Sequence, residues 1–226
     1  MNDSAMNPAP SAAECASGAC CPHDIRKATE DRVIQMEWEF FQNVNNVGGR
    51  ASCQDMPQTF EIMRRSQFAI WTDEMLISYY GDLRSAQIDE RNPMTEKYGY
   101  MMESTHPGEF ALIKDALPAI SAKKRELIDQ IVAIQIAWAE AVSAAYPRFA
   151  GRGRVIRSSQ DSASATSIET YSRGELATYS EHTLELMLEH FARAQADGRN
   201  LQEDVDACIA RSYGYRSLAD AEAAMA

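Results

Sequence analysis

"TFEIMRRSQFAIWTDEMLISYYGDLRSAQIDERN", residues 59–92, and "SIETYSRGELATYSEHTLELMLEHFARAQADGRN", residues 167–200, together decide how this chain is read. Laid on each other without a gap, 108 positions apart, they are identical at nine places: Glu61/Glu169, Arg65/Arg173, Ala69/Ala177, Leu76/Leu184, Ala86/Ala194, Gln87/Gln195, Asp89/Asp197, Arg91/Arg199 and Asn92/Asn200. Chance gives roughly two at average residue usage. The first stretch follows Pro57, which suits a first helical turn, and meets no further Pro or Gly until Gly81. The spacing therefore predicts one long helix from Pro57 to about Arg91 and another over about residues 167–196. The shared D-x-R-N ends each of them and caps the next helix, with Asn200 and Glu203 as one capping pair.

The match extends upstream in the same order. "IQMEW" at 34–38 faces "IQIAW" at 134–138, and "SCQD" at 52–55 faces "SSQD" at 158–161, while "YGY" recurs at 98–100 and 213–215. Ile34, Trp38, Phe41 and Val44 keep helical spacing, and Ser121 opens a second apolar run ending near Tyr146. Shorter helices are expected at about Glu96–Glu103 and Gly108–Leu117, and strand-like alternation is nearly absent. The fold class is all-α: one helical domain over 24–226, built from two tandem, pseudo-twofold related repeats at about 24–117 and 121–226. Residues 1–23 are small and polar with three prolines and read as a mobile tail; its Cys15, Cys20, Cys21 and His23 lack the C-x-x-C spacing of common zinc knuckles.

With 226 residues and 45% hydrophobic content the chain can build one substantial core, or two small ones sharing an interface. Acids outnumber bases by 33 to 22, and the net charge of −11 disfavours phosphate backbones and anionic lipid. The sequence therefore argues against a nucleic-acid or membrane partner, and no uninterrupted apolar run approaches the roughly 20 residues of a membrane helix. Cytoplasm is the expected compartment, since the start lacks a secretory signal and the cysteine count, five, is odd.

Within a duplicated unit, Gln54 and Asp55 are first of all structural: an aspartate before a helix accepts its free N–H groups. Gln160 and Asp161 have the same job. What duplication leaves unexplained is where the halves differ. Cys53 faces Ser159, Glu37 and Glu39 face Ala137 and Ala139, and Gln67 faces Glu175. Such differences nominate a pocket between the halves. The expectation is that Glu61, Arg65, Gln67 and Trp71 converge there on Glu169, Arg173, Glu175 and Tyr179. The bland readings are surface ion pairs for Glu61/Arg65 and Glu169/Arg173, and core positions for Cys53, Trp38 and Trp138.

"EWEFFQNVNNVGGRASCQ", "MRRSQFAIW", "RNPMTEKYGYMMEST" and "TSIETYSRGELATYSEHTL" resemble the signatures of an uncharacterised bacterial family catalogued as domain of unknown function 4125, from about residue 30 to about residue 222. The resemblance implies a compact bacterial domain and no established reaction. It also singles out Glu37, Gln42, Arg50, Cys53, Gln54, Arg64, Gln67, Trp71, Glu169, Tyr171, Arg173, Glu175, Tyr179 and Ser180.

Three function classes stand open. In the first, a small-molecule enzyme, Cys53 is a nucleophilic or redox thiol beside Arg50, and Glu175 or Tyr171 moves a proton. The ligand is then held by Arg50, Gln54, Arg64, Gln67, Trp71, Glu169, Arg173 and Tyr179. The second is a metal-dependent, iron-type oxidoreductase, suggested by the E-x-x-H of Glu103 and His106; a second E-x-x-H is missing, and the sequence assigns no metal ligand and no cofactor. The third is a non-catalytic helical binding module. Phosphate-loop, dinucleotide, zinc-protease and G-x-S-x-G signatures are absent from the sequence.

Overall fold

The computed structural model describes residues 22–45, 49–162 and 164–225. The tail cysteines, Gly48 and the side chain of His23 lie outside the described residues. The described residues form a single all-α domain of eleven helices, with one isolated bridge between Ser162 and Ala165 and no strand. In chain order the helices are α1 (Pro22–Gln42), α2 (Pro57–Phe68), α3 (Asp73–Ile88), α4 (Pro93–Thr105), α5 (Pro107–Ile113) and α6 (Ala122–Ala145). There follow α7 (Pro147–Ala150), α8 (Ile168–Leu176), α9 (Glu181–Ala196), α10 (Leu201–Ser212) and α11 (Leu218–Ala224).

Neither expected long helix is continuous. The first breaks between Phe68 and Asp73, the second between Leu176 and Glu181. At each break a hydroxyl residue caps the next helix: Thr72 Oγ1 accepts from the Met75 N–H at 3.2 Å, and Ser180 Oγ from the Thr183 N–H at 3.2 Å. The chain turns there because Phe68, Trp71, Tyr79 and Tyr179 pack together in the space so created, Trp71 edge to face with the other three and the remaining pairs tilted, with centroids 4.6–6.3 Å apart. The D-x-R-N reading holds for its asparagines, but not for Glu203 as the second member of a capping pair, since its carboxylate accepts from the Tyr146 hydroxyl at 2.9 Å. Asn92 caps α4 through the Met94 and Thr95 N–H groups, and Asn200 caps α10 through those of Gln202 and Glu203.

The main core lies among α1, α3, α6 and α9, with Met36, Met75, Leu83, Ile131, Met187 and Phe191 nearly sealed from solvent. By length and composition α6 is long and apolar enough to cross a membrane, although charged and polar residues interrupt its apolar run. Nine of its residues are buried against neighbouring helices. Around this core the packing is exchanged between the halves: α4 lies on α8, and α10 on α2. Gly174 makes the first contact possible, because a Cβ there would stand 2.8 Å from the Lys97 carbonyl oxygen and 2.6 Å from Met101 Cγ.

Candidate functional site

Two features carry the chemistry of this fold, a buried charge cluster and an open cleft. The cluster begins at Arg64 on α2, whose apolar neighbours Phe68 and Trp71 draw it inward. Its Nε and Nη2 donate to the two Glu37 oxygens at 2.7 and 2.5 Å, and its Nη1 reaches Glu175 Oε1 at 2.8 Å and Gln67 Oε1 at 2.6 Å. Lys97 Nζ donates to Glu175 Oε2 at 2.6 Å; the hydroxyls of Tyr79 and Tyr179 donate to Glu37 and Glu175 at 2.7 and 2.8 Å. Two cations thus face two carboxylates, and all four are buried.

Burial raises the Glu37 carboxyl above its ordinary range against the pull of Arg64. Burial would raise Glu175 too, but Lys97 and Arg64 outweigh it and hold that carboxyl well below the carboxylate range. Arg64 and Lys97 are destabilised as cations by burial, yet their glutamates more than offset this and raise both. Arg64, Lys97 and Glu175 are therefore charged at neutral pH, and Glu37 is the easier of the two carboxylates to protonate. Such a cluster fastens α1, α2, α4 and α8 together. Its oxygens are taken by protein donors, which leaves Glu175 poorly placed to move a proton for a ligand.

Of the residues expected to converge, Gln67, Trp71, Glu175 and Tyr179 do so, together with Arg64. Glu61, Arg65, Glu169 and Arg173 do not. Arg65 pairs outward with Glu30, Asp31 and Glu61, and Arg173 with Asp129 and Glu169. Trp71 is a core aromatic. Arg50 donates to Asp55 at 2.7 Å, to Gln42 at 2.5 Å and to the Gln54 carbonyl at 2.7 Å, which pins the loop before α2. Neither aspartate caps the helix that follows: Asp55 answers Arg50, and Asp161 accepts from the Ser167 N–H at 2.6 Å while the Ser167 hydroxyl itself caps α8. Gln54 is buried and donates to the Phe41 and Val44 carbonyls. Cys53 is exposed, contrary to its core reading, and Arg50 makes no bond to it among the described residues.

Tyr171 joins the cluster to the cleft. Its ring centre lies 3.6 Å from the Lys97 ammonium and 4.7 Å from the Arg154 guanidinium. Arg154 belongs to the loop after α7, which with the ends of α6 and α10 encloses a cleft of about 700 Å³. Its apolar wall includes Ala139, Val142, Ile168 and Ile209; Arg152, Arg154 and Arg157 stand on the loop side, and Gln202 and Asp206 on the α10 side. Asp206 accepts from Gln202 Nε2 at 3.0 Å, and burial pushes its carboxyl up to about 6. A smaller cleft of about 330 Å³ lies beside Tyr100, Glu103 and Phe110.

Sequence reasoning missed Lys97, Tyr79 and Asp206. Lys97 could have been found, since it sits on helical spacing between Met94 and Met101, both buried. For Asp206 the signal is an acid in the apolar stripe of Leu201, Val205, Ile209 and Ala210. Among the described residues no group of three or more His, Cys, Asp or Glu gathers as a metal site; Glu103 is exposed, and His106 Nδ1 meets the Thr105 hydroxyl.

No curated protein and no solved structure matches this chain. A family described as "Protein of unknown function (DUF4125)" matches residues 27–223, nearly the whole described chain, and the chain therefore belongs to that family.

Proposed function

We propose that the chain is a tandem duplication in which the first copy is filled with side chains and the second has opened into a small-molecule site, the 700 Å³ cleft. Recurring contacts support the duplication. Arg65 pairs with Asp31 and Arg173 with Asp129; Asn92 Nδ2 donates to the Phe40 carbonyl and Asn200 Nδ2 to that of Trp138. Both pairs of first-helix partners are 98 positions apart, which favours that register over the 100 suggested by I-Q-x-x-W. Under it Glu37 stands opposite Gln135, and Phe41 opposite Ala139.

The observation that carries the function is what fills each copy. In the first, Phe41 and Phe60 stack with centroids 5.7 Å apart, and Met94 and Tyr98 pack around them. Their counterparts are Ala139, Ile168, Gln202 and Asp206, all four of which line the cleft. Large side chains have given way to small or polar ones, and the volume they vacate is open. Its size falls within the roughly 300–1,000 Å³ usual for small-molecule sites. Asp206 costs stability at neutral pH, and such a cost persists where function requires it. It is also the group in the cleft able to exchange a proton near neutrality.

The test uses 1-anilinonaphthalene-8-sulfonate, a dye that brightens in apolar sites. The folded protein should bind it at one site. Ala139→Phe with Asp206→Tyr, which restores two of the first copy's four side chains, should abolish the response while far-UV circular dichroism is unchanged; Asp206→Tyr alone serves if the pair fails to fold. A folded variant that binds the dye undiminished overturns the reading.

A further inference from the structure

We infer that the ligand of this cleft is a small apolar zwitterion, with an ammonium that pairs with Asp206, a carboxylate that pairs with the arginines of residues 152–157, and an apolar body between them. The inference rests on the cleft being a ligand site and adds the chemistry of its occupant.

The α10 side of the cleft asks for a cation. Asp206 has Gln202 as its hydrogen-bond partner, and no ion pair is formed by it among the described residues. The one further charge acting on its carboxyl is Glu203, of the same sign. A partly buried carboxylate with an amide and a second acid for company is stabilised by an incoming ammonium. Tyr98 at the corresponding place in the other half carries no such demand, and its own hydroxyl is held up to about 12, chiefly by burial.

The loop side asks for an anion. Three arginines occur within six residues, "RGRVIR" at 152–157, in a chain whose net charge is −11. Arg157 is paired with Glu140 at 2.7 Å, and Arg154 donates to the Thr166 carbonyl at 3.2 Å and lies over Tyr171. The Arg152 side chain has no partner among the described residues. Guanidinium groups match a carboxylate with two parallel bonds. Between the two poles lie Val142, Ile168 and Ile209. A ligand of a single charge leaves one pole unanswered, whereas an apolar molecule with both satisfies the whole lining.

Three compounds of one shape separate the possibilities: the dipeptide leucyl-phenylalanine, its N-acetyl derivative, which keeps only the anion, and its C-terminal amide, which keeps only the cation. Each is titrated into the full chain by calorimetry and by displacement of the dye. The free dipeptide should bind at least roughly tenfold more tightly than either derivative, since each lacks one charge-assisted contact. Asp206→Asn should weaken the dipeptide and the amide but not the acetylated form; Arg152→Gln should weaken the dipeptide and the acetylated form but not the amide. Equal binding by all three, or no binding by any while the dye still occupies the wild-type cleft, overturns the zwitterion and leaves the cleft reading intact. Loss of the dye's sensitivity to cleft-filling variants overturns both.

Discussion

Replacing Glu175 by glutamine leaves Arg64 and Lys97 facing a neutral amide in a site closed to water. Removing one partner of a buried ion pair costs about 3–5 kcal/mol. The sequence argues the opposite, because Gln67 at the matching position makes an amide look harmless. Gln67, however, faces a single arginine and no lysine. Glu175→Gln should therefore lower the urea midpoint sharply, and a midpoint equal to wild type would show that the cluster is not a fastener. Asp206 acts with the other sign. Its pKa rises from 3.8 to about 6 on folding, so the native state holds the proton more tightly than the unfolded chain. Its stabilising contribution is complete below pH 4 and is lost as pH rises through 6, a change of about 2–3 kcal/mol. Asp206→Asn should match wild type in thermal stability at pH 4 and exceed it at pH 8; a pH-independent difference between the two would refute the burial of this carboxyl.

At the scale of elements, capping was readable and continuity was not. Asn92, Ser121 and Asn200 cap the helices that follow them, as their local sequence requires, because a cap is a contact across two or three residues. The breaks after Phe68 and Leu176 carry the same kind of mark, Thr72 followed by Asp73 and Glu74, and Ser180 followed by Glu181. The uninterrupted apolar spacing hides it, since a helix can end without Gly or Pro when an aromatic cluster rewards the turn. The loop "GGRASCQD" reads well for Gln54, whose buried amide ties the loop to the end of α1. It reads poorly for Asp55, which pairs with Arg50, and for Cys53, which is exposed.

At the scale of the molecule, α4 packs on α8 and α10 on α2, so each half supplies part of the surface that the other half's helices cover. Residues 22–117 expressed alone lose α8, and with it the Glu175 carboxylate that answers Arg64 and Lys97. That fragment should show no cooperative unfolding transition by circular dichroism; a sharp, reversible transition would mean that the halves fold independently. By itself the sequence determined the helical class, the caps at Asn92, Ser121 and Asn200 and several residues of the buried cluster: Arg64, Gln67, Glu175 and Tyr179. These follow from contacts within a turn or two, or from the family's own signatures. Only the tertiary structure decided that Lys97 meets Glu175 across 78 positions and Arg64 meets it across 111, that both carboxylate oxygens are thereby occupied, and that the open volume lies instead beside Asp206. The physical reason is that helix packing is set by the fit of whole surfaces, so the cleft beside Asp206 takes its walls from several helices at once, and no local stretch of sequence records it.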